Sequence, residues 1–304
     1  MPQIKKNIIT GEYISISEAR KHRLVTITDG NATCQFCPEN KFMTPEETFV
    51  SESGRVRIFP NLYPILDQVD ELGYGIHEIV VDTKIHTEYF HDFSPEHALE
   101  TLISIVGRLP ALYADKKIRY VQVFKNQGRS AGATVAHSHW QLVGMPFLPS
   151  YQEILQKNSE RFFIENGCYM CHVLKNGPHI VYENEGAIAF VPEAEKSGYE
   201  IDVMPKKHFS GIKDADETQL AYMSDALQKS CKALSQALSA DYNICFQNLL
   251  FKGCDHLHFY MQVIPRLGRF GGFELSTGSY THSEYPEKSA EFLKKTIANI
   301  YDLR

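Results

Sequence analysis

Four of the seven cysteines stand in two Cys-x-x-Cys pairs, Cys34/Cys37 and Cys168/Cys171, one in each half of the 304-residue chain. Where thiols stay reduced, such pairs are more often metal ligands or redox centres than disulfides. Each pair is followed by a lone histidine and then a His-x-His: His86 and His137-Ser-His139 in the first half, His208 and His256-Leu-His258 in the second. Zn²⁺ in a structural site takes four ligands in a tetrahedron, and two thiolates with two neutral imidazoles leave it electrically neutral. The sets Cys34, Cys37, His86, His137 and Cys168, Cys171, His208, His256 meet that requirement, so one or two zinc ions per chain are expected. Any one of these histidines alone reads as a surface or hydrogen-bonded side chain; four ligand types recurring twice in one order do not. A redox role is weaker, because neither pair opens a helix inside a βαβ unit.

The segment Asn126-Gln-Gly-Arg-Ser-Ala-Gly-Ala-Thr-Val-Ala-His-Ser-His-Trp-Gln-Leu142 offers a second chemistry. On a strand, alternate side chains share a face, so His137, His139 and Gln141 point one way, with His139 about 7 Å beyond a metal-held His137. A neutral imidazole is a competent nucleophile without strong activation. Gln141 adds amide N–H donors for a phosphoryl oxygen. Gly128 and Gly132, with Ser130 between them, would let backbone N–H groups approach phosphates.

These residues sit in a repeated order of elements. In the first half, extended Arg55–Pro60 and a strand over His77–Asp82 lead to His86. A helix then opens with Ser94 as cap and Pro95 at its first position. Its stripe is Leu99, Leu102, Ile103 and Val106, until Pro110 disturbs it. A strand from Ile118 to Phe124, a Gly-containing loop and the His-x-His strand follow. In the second half, Ala187–Pro192 and Tyr199–Met204 lead to His208. A helix starts at Asp214 with Glu217 as capping-box partner, and carries Leu220, Met223, Leu227, Cys231, Leu234 and Leu238 on one face. The strand Tyr242–Gln247 and the strand with His256 and His258 complete the unit. A polar helical stretch near 150–167 separates the copies, giving units of 1–155 and 156–304.

Hydrophobic residues at 43% and charged residues at 22% are globular proportions and exclude a disordered or fibrous chain. A net charge of −6 argues against a protein that coats nucleic acid or an anionic membrane. No apolar run reaches the ~20 residues of a membrane span, and the N-terminus lacks a secretory signal. A cytoplasmic protein is expected.

The His-x-His-x-Gln strand resembles the active-site strand of galactose-1-phosphate uridylyltransferases and ADP-glucose phosphorylases, within the histidine-triad superfamily. The likeness runs along nearly the whole chain: Asn7–Ile14 to Arg20-Lys-His-Arg23 is similar to the opening strand and sugar-phosphate arginines, Arg57–Pro64 to the nucleoside-binding stretch, Gly75–Asp82 to the strand before a zinc histidine, and Gly272–Gly278 to the motif lining the hexose pocket. The resemblance implies an α+β fold of two tandem histidine-triad-like half-barrels, each an antiparallel sheet with one long helix. It implies a nucleotidyltransferase of carbohydrate (galactose) metabolism, in which His139 attacks the α-phosphorus of a nucleotide sugar, sugar 1-phosphate leaves, and a phosphate or hexose 1-phosphate acceptor takes the nucleotide. Gln141 would stabilise the transferring phosphoryl, Asn61 and Asn126 would contact the nucleotide, Arg20 and Arg23 the sugar phosphate, and Phe273 and Glu274 the sugar. Members commonly pair, so a homodimer is among the expectations.

In the second half Tyr260 is expected at the place of Gln141, with no Asn-x-Gly loop before His256, so one active site per chain is expected and His258 is read as a sugar contact. Trp140 stands where relatives carry a small residue. Two other functions stay open: a histidine-triad hydrolase, against which Gln141 weighs because hydrolases generally carry a third histidine there, and a non-catalytic zinc-stabilised nucleotide-binding protein.

Overall fold

A computed structural model describes residues 2–22, 33–69, 71–248 and 254–302. A short antiparallel pair, β1 (Gln3–Lys6) with β2 (Tyr13–Ile16), precedes the body of the chain. In the first half follow β3 (Phe49–Val50), β4 (Arg57–Pro60), β5 (Ile76–Val81), α1 (Pro95–Tyr113), β6 (Tyr120–Gln127) and β7 (His139–Met145). After α2 (Ser150–Asn166) and α3 (Tyr169–Lys175), the second half repeats the order as β8 (His179–Glu183), β9 (Ala187–Val191), β10 (Ile201–Pro205), α4 (Glu217–Leu238), β11 (Tyr242–Gln247) and β12 (Tyr260–Pro265). Two helices close the chain, α5 (Gly272–Thr277) and α6 (Pro286–Tyr301). The division expected at 155/156 falls within α2.

The strand order is β3-β4-β5-β7-β6-β11-β12-β10-β9-β8, antiparallel at every pairing. Read from either end, the order is the same, so the halves are related by a pseudo-twofold axis between β6 and β11. They join edge to edge through the pairs Tyr242↔Gln127 to Cys245↔Phe124, forming one ten-stranded sheet. The hydrophobic core is likewise shared: Leu102, Ile105 and Leu109 of α1 and Met223, Leu227 and Leu234 of α4 lie in one buried cluster with Trp140, Tyr242 and Phe246.

Local signals place the helices with two shifts. Ser94 caps α1, its side chain accepting from the His97 amide. The helix runs through Pro110 to Tyr113. A proline one turn from the C-terminus removes a single i→i−4 bond, and burial of Leu109 and Leu112 offsets that loss. Ile103, expected on the apolar stripe, is more than one-third exposed, and Ile105 takes the buried position. In α4 the cap is Asp216 with Gln219 as capping-box partner, not Asp214 with Glu217. Asp214 instead ends a 3-10 turn, Ile212–Asp214. Among the described residues no helix is long and apolar enough to cross a membrane.

Candidate active site and metal centres

Cys34 and Cys37 sit in a turn whose bend is closed by the Cys37 amide donating to the Cys34 carbonyl. His86 follows β5 and His137 stands two residues before the first residue of β7, so the sheet brings the four side chains together; their ligating atoms lie within 4.8 Å of one another. The sulfur–nitrogen separations are 3.7 Å for Cys34 to His137 Nδ1, 3.6 Å for Cys37 to His137 Nδ1, and 3.4 Å for Cys37 to His86 Nδ1. A tetrahedral ion with ordinary Zn–S and Zn–N bonds holds sulfur and nitrogen about 3.6 Å apart. His137 Nε2–H donates to the Thr83 carbonyl at 2.9 Å, which leaves Nδ1 as the free lone pair. Burial and the neighbouring Cys34 push the Cys37 thiol up to about 12, a shift that a cation held between the two sulfurs would reverse. The donor set fits a Cys₂His₂ ion.

The second cluster consists of Cys168, Cys171, His208 and His258. His256, expected as the fourth ligand, lies outside it. The reason is register. His258 stands two residues before Tyr260, the first residue of β12, as His137 stands two before His139, the first residue of β7. His258 Nδ1 lies 3.8 Å from Cys168 and 3.6 Å from Cys171, while His208 Nδ1 is 3.4 Å from Cys171. His258 Nε2–H donates to the Pro205 carbonyl at 3.0 Å, the counterpart of His137 on Thr83. Both ring nitrogens of His258 are thus engaged, one at the cluster and one on the backbone. The same register corrects the comparison of the strands: Tyr260 takes the position of His139, and Gln262 that of Gln141. The pattern His258-x-Tyr260-x-Gln262 was the sequence signal for this alignment.

His139 and Gln141 line one side of a cavity of about 130 Å³, with Arg20, Asn61 and Asn126 around it. The His137 carbonyl, an obligate acceptor, lies 2.8 Å from His139 Nδ1. The proton is thereby held on Nδ1, and the lone pair lies on Nε2. Burial, with the Lys125 ammonium nearby, pushes His139 down to about 4, so the ring is neutral. Gln141 is oriented by a residue outside the expected set. The Ile65 amide donates to His77 Nδ1 at 2.9 Å, so His77 carries its proton on Nε2. That N–H faces Gln141 Oε1 at 3.0 Å. Gln141 thus accepts through its oxygen and keeps both amide N–H groups for another acceptor. Burial pushes His77 down to about 3, which holds it neutral.

Behind this strand lies an ion pair with no exposed surface. Lys125 Nζ is 3.1 Å from Asp82, donates to Ser138 Oγ at 2.7 Å and to the His139 carbonyl at 3.2 Å. Trp140 Nε1–H donates to the same Asp82 oxygen at 2.8 Å. The bulk of Trp140 is accommodated because its ring lies edge-on between Phe90 and Phe246. The peptide groups on either side of His139 are thus fixed from the core side.

Not every expected contact is brought to the cavity. The Ser130 amide donates to Asp241 Oδ2 at 2.6 Å, and a Cβ on Gly128 would meet Asp241 Oδ1 at 1.8 Å. Gly128 and Ser130 are pinned to that carboxylate and line other surfaces, whereas Gly132, in the left-handed region, does face the cavity. Phe273 and Glu274 lie on α5, away from the residues that line the His139 cavity, and Glu274 bonds within its own turn through the Gly271 amide. Arg23 lies outside the described residues. Asn126 is held by Asn243 across the seam between the halves, at 2.8 Å.

Two family models match: the N-terminal domain of a domain of unknown function (DUF4931) over residues 15–148, and the HIT domain over residues 174–267. ADP-glucose phosphorylase of Arabidopsis thaliana is 26% identical over 97% of this chain and 93% of its own length. Galactose-1-phosphate uridylyltransferase of Thermotoga maritima is 24% identical over 99% of this chain and all of its own. The crystal structure of the Arabidopsis phosphorylase with bound ADP-glucose superposes with a TM-score of 0.83 over 97% of this chain and 98% of that one. A uridylyltransferase structure, 23% identical, shares the fold at a TM-score of 0.87 over 98% and 99% of the two chains. The chain carries a HIT domain and is, along nearly its whole length, a homologue of ADP-glucose phosphorylases and galactose-1-phosphate uridylyltransferases.

Proposed function

We propose that the chain transfers a nucleoside monophosphate from a nucleotide sugar to a phosphate acceptor, inorganic phosphate or a hexose 1-phosphate, through a nucleotidyl-histidine on His139. The observation that carries this reading is the 2.8 Å contact of His139 Nδ1 with the His137 carbonyl, which presents an unprotonated Nε2 at the cavity. In the first step the Nε2 lone pair forms a bond to the α-phosphorus, and the bond from that phosphorus to the bridging oxygen breaks. Sugar 1-phosphate leaves with that electron pair. In the second step an acceptor phosphate oxygen attacks the same phosphorus and the P–N bond breaks, returning His139. The free N–H groups of Gln141 meet charge that grows on the phosphoryl oxygens, and preorganised donors of this kind are where such a step gains most. Arg20, Asn61 and Asn126 surround the remainder of the bound nucleotide sugar.

Two zinc ions per chain belong to this reading, held by Cys34, Cys37, His86 and His137 and by Cys168, Cys171, His208 and His258. Zinc there supplies crosslinking of the sheet to its preceding turns. Seven cysteines, none in a disulfide and four of them placed to hold metal, suit a reducing cytoplasm. A homodimer belongs to it as well: exposed Phe273 and Leu275 on α5 lie away from the cavity of their own chain, so a hexose pocket built with them takes them from a second copy.

The test is incubation with ADP-glucose or UDP-glucose labelled in the α-phosphate, with and without acceptor. Acid-labile, base-stable label on the protein, absent in His139→Asn, supports the reading. Turnover indifferent to phosphate and hexose 1-phosphate overturns it in favour of hydrolysis.

A further inference from the structure

The pseudo-twofold that relates the halves places a second cavity, of about 480 Å³, where the His139 cavity would be if the second half were a copy of the first. It has been rebuilt. Tyr260 replaces the nucleophile. By the pairing of β10 with β12 and β5 with β7, Asp202 stands opposite Gln262 as Ile79 stands opposite Gln141. Glu200 takes the position of His77. Gln262, unlike Gln141, is engaged at both ends of its amide: its Oε1 accepts from Gln247 at 2.8 Å and one Nε2–H donates to Glu200 at 2.9 Å, while the other N–H lies beside Asp202. Gln247 in turn accepts from Gln152, so a relay of three amides ends on one carboxylate. The other Glu200 oxygen accepts from the Lys196 amide at 3.0 Å.

Two acceptors in this cavity are left over. Among the described residues Asp202 Oδ1 and Asn248 Oδ1 have no hydrogen-bond partner, although the two residues are only 4% and 3% exposed. Asn248 is anchored through its other atom, Nδ2, to the His258 carbonyl at 2.7 Å. Burying such groups unpaired costs stability, and Asp202 lies beside a second buried carboxyl that adds to the cost. The walls are apolar and aromatic: Tyr151, Phe162 and Tyr169 line the cavity over this floor. Lysine 196 is engaged with Tyr151, its Nζ 3.0 Å from the hydroxyl and over the ring.

We infer that the second cavity binds a phosphate-free ring bearing vicinal hydroxyls, whose O–H groups donate to Asp202 and Asn248 while its apolar face lies against the aromatic wall. Two carboxyls on the floor, Glu200 and Asp202, disfavour a phosphoryl group. The same chemistry is presented by the ribose of a nucleoside and by a free hexose. The site stands on its own residues and does not depend on His139 chemistry.

The experiment is equilibrium dialysis of the full chain with adenosine, 2′,3′-dideoxyadenosine, AMP and glucose, on the parent, on Asp202→Leu and on His139→Asn. Asp202→Leu puts an aliphatic side chain where the first half has Ile79 and removes a buried carboxyl, so it retains the fold. The expected result is one equivalent of adenosine or of glucose that His139→Asn keeps and Asp202→Leu loses, with at least tenfold weaker binding. Adenosine retained identifies a nucleoside source and glucose a free-sugar source; dideoxyadenosine and AMP fail at this site. Binding unchanged in Asp202→Leu, an equivalent of AMP that Asp202→Leu loses as it loses adenosine, or no such equivalent in the parent overturns the inference. A second substitution, Asn248→Leu, gives the same loss if the floor is the binding surface.

Discussion

His77 Nε2 and Gln141 Oε1 lie 3.0 Å apart on the paired strands β5 and β7, with the His77 proton assigned by the Ile65 amide on the opposite side of the ring. A backbone donor, an imidazole and a carboxamide form a one-way chain whose last free groups are the two N–H bonds of Gln141. Reversing the Gln141 amide would set N–H against N–H, so its orientation is determined by His77.

Replacing Gln141 by Ala removes a donor aimed at developing charge and should lower kcat by about 10²–10³-fold. His77→Phe keeps the ring and the volume but releases the Gln141 amide. The expectation is a fall in kcat of about tenfold, from loss of orientation alone, with little change in KM. Steady-state kinetics of nucleotide-sugar phosphorolysis separate the two. A His77→Phe enzyme with parental kcat, or one altered only in KM, contradicts a positioning role.

Metal content distinguishes His256 from His258. The parent is expected to hold two zinc equivalents per chain, His258→Ala one, and His256→Ala both. Zinc released by acid and measured by mass spectrometry decides the matter, and equal losses in the two variants would contradict the clusters described.

Removing the Lys125 side-chain charge leaves Asp82 buried and unpaired. Lys125→Met should cost about 3–5 kcal/mol of unfolding free energy, as for other broken buried pairs. Urea denaturation monitored by the fluorescence of Trp140, whose indole bonds to Asp82, provides the measurement. A loss below about 1 kcal/mol, the range of exposed pairs, would mean that water reaches the pair.

Burial raises the Glu195 carboxyl from 4.5 to about 7. The folded chain therefore binds this proton more tightly than the unfolded chain. The associated stability is complete below about pH 4.5 and is lost as pH rises through about 7. Glu195→Gln lacks the charge, so its Tm should exceed that of the parent at pH 8, with the advantage shrinking towards pH 5. Thermal scans at the two pH values provide the check, and a gap independent of pH would show that Glu195 does not carry the effect.

The two Cys/His clusters that could hold a metal were largely legible because thiols and imidazoles in one repeated order have few other uses. What could not be read was the choice between His256 and His258. Both belong to a His-x-His, and both fit the loose spacing from His208; only the start of β12, and hence which histidine precedes its first residue, decides. The place of His139 beside Gln141 at the cavity was legible because both lie on the strand itself. His77 was visible as part of a strand, but its role depends on a diagonal across β5 and β7 that spacing does not reveal. The pair of Lys125 with Asp82 was illegible for the same reason: 43 residues separate two charges that a sequence reader would put in solvent. Gly128 and Ser130 show the opposite error, since a Gly-bearing loop near a histidine suggests phosphate contact, whereas the carboxylate of Asp241 already holds it.

The seam from Tyr242↔Gln127 to Cys245↔Phe124 bears on how this chain can be cut. A half released from its neighbour would expose a bare strand with its row of unsatisfied amides and carbonyls, and such margins recruit other chains. Expressed separately, each copy should self-associate or precipitate, and mixing the two fragments should restore solubility by reclosing that margin.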